Sequence, residues 1–312
     1  MRIVSLHPFT TDILDYCGVG WHLVGVTHVC SIPENSAKAK VLTAGPNQTF
    51  IASTSELADV AKGLSPQKVD IEKLLDCIPD VILADVVHPD RERFIPWAEE
   101  IVRKHLGKSV SIRHPALNTL EEVYTTMEGV GRLIGKPRLA AKLVREIKTH
   151  ISDWATRYGS LCKGKTVVVL SETRPLVVEG GWVDDLIHLF GGATLTRSVK
   201  NRSVEVSWKE LLAGRPDVLF VAPHNAYLGQ SVRRLTALET SEGWDDLPAV
   251  KRGAVFFAPG TGIYRPGPRF LKGIAALIAA MAGIDKPIIP DQDEYYRIRH
   301  VEMYRHKLID PH

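Results

Sequence analysis

The sequence predicts an α/β protein built from two similar lobes joined by a single long helix. Three observations carry this. Short β-branched runs alternate with longer helical patterns in two successive series. An almost wholly helical stretch separates the two series. An eight-residue segment of the first series also returns in the second. Length agrees, since 312 residues at about 150 per domain leave room for two lobes.

In the first series, residues 2–6, 23–27, 81–84 and 109–112 read as strands, each a short apolar run bounded by turn formers. Helical periodicity runs over 11–16 and 97–105. In the second series, 166–170, 218–222 and 254–257 read as strands, with helices near 182–190 and 270–281. Between them, Thr119 and Glu122 have capping-box spacing, so a helix starts there. Gly135-Lys136-Pro137 interrupts it, and Pro137 suits the first turn of a new helix. From there Leu139, Leu143, Ile147, Ile151 and Trp154 form one apolar stripe. At about 1.5 Å per residue, 137–158 makes a rod of roughly 33 Å, a strut long enough to brace two lobes. The expected division is an N-terminal lobe over 1–117, a helical linker over 118–160 that includes the interlobe helix, a C-terminal lobe over 161–285 and a helical tail over 286–312.

The returning segment is Leu74-Leu75-Asp76-Cys77-Ile78-Pro79-Asp80-Val81, answered by Leu211-Leu212-Ala213-Gly214-Arg215-Pro216-Asp217-Val218, with five identities in eight positions. Each reads as a helix end, a Pro-Asp turn and a buried strand. Duplication of a half explains it.

Lys plus Arg number 39 against 36 Asp plus Glu, so the formal charge is only +3, with no clustered basic face that would suit nucleic acid. Apolar residues are 45% and charged residues 24%, an ordinary globular mix. The four cysteines stand far apart without a C-x-x-C, which favours free thiols packed as small hydrophobes. The opening apolar run is too short for a signal-peptide core. As written the chain reads as cytoplasmic, and as periplasmic or surface-anchored if a leader has been removed. The longest apolar stretch, 273–284, is shorter than a membrane span, so no direct membrane insertion is expected.

No Walker loop, H-E-x-x-H or G-x-S-x-G is present, and Gly18-Val19-Gly20 lacks a third glycine. No catalytic residue is assigned. Candidate ligand groups instead lie in loops after strands, where open α/β sheets bind. After the first come His7, Phe9 and Thr10, at the start of a helix whose free N–H groups suit oxygen ligands. After the second come His28 and Cys30, a pair that lines a cleft, packs, or supplies two donors to a metal of unknown identity. In the second half the loops offer Trp182 behind Glu179-Gly180-Gly181, then His224 and Tyr227, then Tyr264 and Arg265. Trp182 and Tyr264 present flat faces and Arg265 a donor fork for an acidic group.

These residues resemble a known family. The run Arg2-Ile-Val-Ser-Leu-His7-Pro-Phe-Thr-Thr-Asp12 is similar to the opening of solute-binding proteins for cobalamin, ferric siderophores and haem. Val24-Gly-Val-Thr-His28, Ile71-Glu72, Pro79-Asp80-Val81, Trp182-Val-Asp-Asp-Leu186, Ser207-Trp208, Gly243-Trp244 and Arg265-Pro-Gly-Pro-Arg269 follow in order, over roughly residues 2–285. The chain looks closest to a leaderless branch commonly labelled cobalamin-binding. The resemblance implies two Rossmann-like lobes joined by a single backbone helix, with the ligand cleft between the lobes. It implies a small-molecule ligand, cobalamin or another metal chelate, with no intrinsic cofactor. It also implies delivery to the membrane subunits of an ABC importer, docked through one glutamate on each lobe. Glu72 stands at the first position. At the second stands Lys209, with Glu210 next to it, which weakens docking. Where cobalamin binders wall the cleft with aromatics, this chain carries Val29, Asp85 and Ser203, while Arg265 matches a cleft arginine. Non-enzymatic binding is the reading; a cytosolic carrier, sensor or enzyme on the same scaffold stays open beside it.

Overall fold

The computed structural model describes residues 1–36, 38–43, 55–195, 203–224, 226, 228–264, 270–284, 288 and 296–298. The chain divides into two compact units. One comprises 1–116 and 124–144, the other 117–123 and 145–312.

In the first unit the elements are β1 (Ile3–Ser5), α1 (Pro8–Tyr16), β2 (Leu23–Val26), β3 (Lys40–Val41), α2 (Ser55–Leu64), α3 (Ile71–Asp76), β4 (Val81–Leu83), α4 (Arg91–Leu106) and β5 (Ser111–Arg113). The strands form one parallel sheet in the order β3-β2-β1-β4-β5. That is the order of a dinucleotide-fold half, in which the chain reverses direction between β1 and β4. Every residue of β1 and β4 is buried, because helices cover both faces of a parallel sheet. The core gathers Val4, Leu6, Leu57, Leu74, Ile82, Phe94 and Ile112.

α5 (Leu120–Leu133) opens with the expected box. The Thr119 hydroxyl accepts from the Glu122 N–H at 3.1 Å, and the Glu122 carboxylate accepts from Asn118 and Thr119 N–H groups. Gly135 then turns the chain at φ +71° into α6 (Pro137–Cys162), the long helix. Of its predicted stripe, Leu143, Ile147, Ile151 and Trp154 are buried, while Leu139 is exposed. The unit boundary falls within α6, after Val144.

In the second unit follow β6 (Thr166–Thr173), β7 (Leu176–Val178), α7 (Trp182–Leu189), β8 (Ala193–Thr194), β9 (Val204–Val206), α8 (Trp208–Gly214), β10 (Val218–Val221), α9 (Leu228–Arg233), α10 (Leu235–Glu239), α11 (Pro248–Lys251), β11 (Val255–Phe257), α12 (Gly260–Ile263), α13 (Phe270–Ala282) and β12 (Tyr296–Ile298). β8, β6, β10 and β11 are parallel neighbours, matching β2-β1-β4-β5. The antiparallel strands β7 and β9 extend one side and β12 the other.

β12 corrects one expectation. The tail was expected to be helical, yet Tyr296–Ile298 pairs with Val255–Phe257. β11 offers an open edge of N–H and C=O groups, and Tyr-Arg-Ile suits a strand that satisfies them. The rest of 286–312, apart from Ile288, lies outside the described residues. Among the described residues no helix is long and apolar enough to cross a membrane.

Candidate ligand-binding site

In an open α/β sheet the natural site lies beyond the carboxyl ends of the strands where direction reverses. In the first unit that point is the end of β1 beside β4. His7 caps α1, its Nδ1 accepting the Phe9 N–H at 3.1 Å. The neutral ring therefore keeps its proton on Nε2, which lies 3.9 Å from Asp85 Oδ2. Around it Ser5 Oγ meets Thr10 Oγ1 at 2.6 Å and accepts from Thr11 Oγ1 at 2.9 Å. Cys30 Sγ lies 3.2 Å from Thr11 Oγ1 and 3.0 Å from Thr27 Oγ1. This hydroxyl mesh ties the ends of β1 and β2 to the first turn of α1. His28 is exposed, with Nδ1 2.7 Å from the Thr43 hydroxyl.

Beyond β4 and β5 lies an open cavity of about 370 Å³, lined by residues of the first unit. His114 stands at its polar edge. Its Nδ1 accepts the Val86 N–H at 3.1 Å, and burial, followed by the Arg91 charge, lowers its pKa.

In the second unit the polar groups converge after β7 and β10. Glu179 is 8% exposed, and its Oε1 accepts from Ser203 Oγ at 2.8 Å and lies 3.2 Å from His224 Nε2. Burial alone pushes this carboxyl up. Hydrogen bonds and the His224 charge outweigh it, so the pKa ends below the ordinary carboxylate value. The Tyr264 ring lies 4.2 Å from that of His224. Its hydroxyl is buried, and burial plus the charges of Glu179 and Glu172 hold its pKa well above the usual value.

Two candidates are corrected. Phe9 is 0% exposed, because it shares the inward face of α1 with Ile13. Trp182 is 8% exposed and packs edge-on against Phe270 at 4.9 Å. Both are core. Gly181 just before Trp182 is required: at φ +64° a Cβ would stand 2.6 Å from the Asn118 carbonyl oxygen. Thr10 is also fully buried and its hydroxyl is engaged, though it lines the cavity. Tyr227 and Arg265 lie outside the described residues. Glu210 is exposed, but its carboxylate accepts from the Ser207 N–H and hydroxyl, closing a capping box. Glu72 is exposed on the first turn of α3. No cluster of three His, Cys, Asp or Glu suited to a metal ion occurs among the described residues.

Glu179 is the candidate group that the sequence reading did not single out. Its signal was present, an acid directly after a strand and before Gly-Gly, but the glycines and Trp182 drew the reading.

A family model described as periplasmic binding protein matches residues 3–261. A Vibrio vulnificus vitamin B12-binding protein is 22% identical over 294 residues, covering 91% of each chain. A Bacillus subtilis protein described as an uncharacterized ABC transporter substrate-binding lipoprotein is 23% identical over 285 residues, covering 88% of this chain and 78% of the other. Among solved structures, a periplasmic heme-binding protein from Pseudomonas aeruginosa superposes with a TM-score of 0.67 at 19% identity, covering 96% and 98%.

Proposed function

The chain belongs to the periplasmic binding protein family, whose members bind solutes rather than catalyse, and on that premise we propose that it is the substrate-binding component of an ABC importer for a corrinoid or another large metal chelate. The observation that supports this most directly is a device found in both units. Each places a histidine near a carboxylate after its strands, His224 Nε2 3.2 Å from Glu179 and His7 Nε2 at a longer 3.9 Å from Asp85. Glu179 within hydrogen-bond reach aims the His224 ring, while the Phe9 N–H on Nδ1 sets the orientation of His7.

In this reading His7, His28, Cys30, His224 and Tyr264 contact the ligand, with Tyr227 assigned by its place in a loop after a strand and Arg265 also by resemblance. Glu72 docks the importer on the first unit. Lys209 and Glu210 make a weaker counterpart. The protein works outside the cytoplasmic membrane, a reading supported by a family described as periplasmic and a relative described as a lipoprotein.

The test is a visible-absorption titration with hydroxocobalamin, haemin and a ferric siderophore. A saturable one-to-one shift with one of them, weakened about tenfold or more in His224→Ala or His7→Ala, is expected. No shift with any chelate overturns the reading.

A further inference from the structure

We propose that the cavity of the first unit is a separate subsite for a carboxylate carried on an apolar body, gripped by Arg113 and His114. A free ligand there is independent of the chelate reading, whereas an arm of a bound chelate rests on it.

Three observations converge. The first is the lining. Leu83, Pro115, Val130 and Leu133 make an apolar floor and walls, and no acidic side chain lines it among the described residues. Its two threonines have their hydroxyls engaged, Thr126 donating to Ala116 O at 2.8 Å and Thr10 to His7 O at 2.9 Å. Their hydroxyl hydrogens are therefore already committed.

The second is the donor pair. His114 Nδ1 meets both the Val86 N–H at 3.1 Å and the Ala84 carbonyl oxygen at 3.3 Å; in the tautomer that accepts the shorter, Val86 contact, Nε2 carries the hydrogen and is a donor. Burial keeps the ring neutral, so it donates without bringing a second charge. Arg113 supplies an exposed guanidinium, a planar fork matched to two carboxylate oxygens. A cavity with apolar walls and only donors at its polar edge selects an acceptor on an apolar body.

The third is Gly129. It sits inside α5, where glycine costs about 1 kcal/mol relative to alanine. Apart from its chain neighbours and the backbone of α5 itself, no described atom lies nearer than 3.9 Å to the Cβ it lacks, and that atom is the tip of Arg132. Neither backbone geometry nor packing demands glycine there. Space held open at the wall of a cavity suits an occupant. At about 370 Å³ the cavity takes a small ligand or one arm of a larger one.

The shared chemistry has two sources, a free monocarboxylate or a carboxyl-bearing arm of a bound chelate. The experiment uses the full chain and a probe series of hexanoate, octanoate, benzoate and phenylpropionate, with their primary amides as controls, followed by calorimetry and ligand-observed NMR. The variants are Gly129→Ala, Gly129→Phe and Arg113→Gln.

A saturable carboxylate signal, weaker by about tenfold in the amides and in Arg113→Gln and absent in Gly129→Phe, is expected for a free ligand. Gly129→Ala should keep binding and raise the melting temperature, which shows that the helix tolerates the position. Should the free probes fail while Arg113→Gln and Gly129→Phe both weaken a chelate titration tenfold, the source is the chelate's arm. No probe binding together with unchanged chelate titration in both variants overturns the proposal. Because probe binding is read without chelate, failure of the importer reading leaves the free-ligand test intact.

Discussion

The two Pro-Asp corners use one design in two places. In the first unit Asp80 accepts the Arg2 N–H at 2.7 Å and returns its own N–H to Arg2 O at 2.8 Å. In the second, Asp217 accepts the Thr166 N–H at 2.9 Å and returns its N–H to Thr166 O at 2.8 Å. Each ties the corner to the residue before or at the start of the unit's first strand. The residue ahead of each proline, Ile78 and Arg215, has positive φ, +45° and +43°. Each carboxylate also holds a cation three residues before the next strand, Lys108 before β5 and Arg252 before β11. The likeness ends at the surface. Helix α3 begins with an Asp70 cap and Glu72, whereas α8 begins with Ser207, Lys209 and Glu210. What holds the backbone is shared; what faces solvent has diverged.

The largest effects should come from the two aromatic residues assigned to the core. Phe9→Ala and Trp182→Ala should each cost about 3–5 kcal/mol in denaturant unfolding, and neither should change chelate affinity at temperatures where the variant remains folded. Loss of affinity without loss of stability in either would return that residue to the ligand site.

The corners themselves come next. Asp217→Ala removes a charge-assisted bond and should cost about 2 kcal/mol. Asp80 is more exposed, 42% against 24% for the side chains, so Asp80→Ala should cost about 1 kcal/mol. The Lys108 hydrogen bond, then the Arg2 N–H, hold the Asp80 pKa below its ordinary value. Its contribution is therefore present above about pH 4 and lost as pH falls through the lowered value. Equal costs for the two variants would mean that exposure does not grade them.

Asp184 in α7 of the second unit should give a smaller effect of opposite sign. Burial pushes its pKa up to about 6, with His188 pulling it back. A raised carboxyl favours the folded state fully below about pH 4, and that advantage is lost as pH rises through 6. Unfolding measured between pH 4 and 7 should show this decline flattened in Asp184→Asn, with a gain of about 1 kcal/mol at pH 7 after solvent screening. An unchanged pH profile would show that the carboxyl is not strained.

The buried parallel strands were legible because burial on both faces writes a continuous apolar run, as in β1, β4 and β10. α5 and α6 were legible from Thr119, Glu122 and Pro137. β8 and β9 escaped because two or three residues show no period. Phe9 and Trp182 were misread since an aromatic beside a loop looks alike whether it faces in or out. Their partners Ile13 and Leu186, four residues on, carried the signal of an inward helix face. The Glu179–His224 pair joins residues 45 apart and needs the sheet to close. The cavity needs α5 brought against the end of β5. Neither is written in local sequence.

The smallest effect on stability, and the sharpest test of surface divergence, lies at Lys209. Lys209 and Glu72 hold the same place, second residue of the helix that leads into each Pro-Asp corner. A cation there opposes the positive end of the helix and an anion complements it. Lys209→Glu should therefore stabilise by about 0.3–0.5 kcal/mol, and Glu72→Lys should cost as much. Docking should respond far more strongly than folding. With importer membrane subunits in vesicles, Glu72→Lys should reduce stimulation of ATP hydrolysis and Lys209→Glu should raise it. Glu210→Gln should leave stimulation unchanged, because that carboxylate is committed to Ser207 and glutamine keeps the cap. Stimulation indifferent to both charge reversals would move the docking face away from these helix starts and leave Lys209 as ordinary drift on a solvated turn.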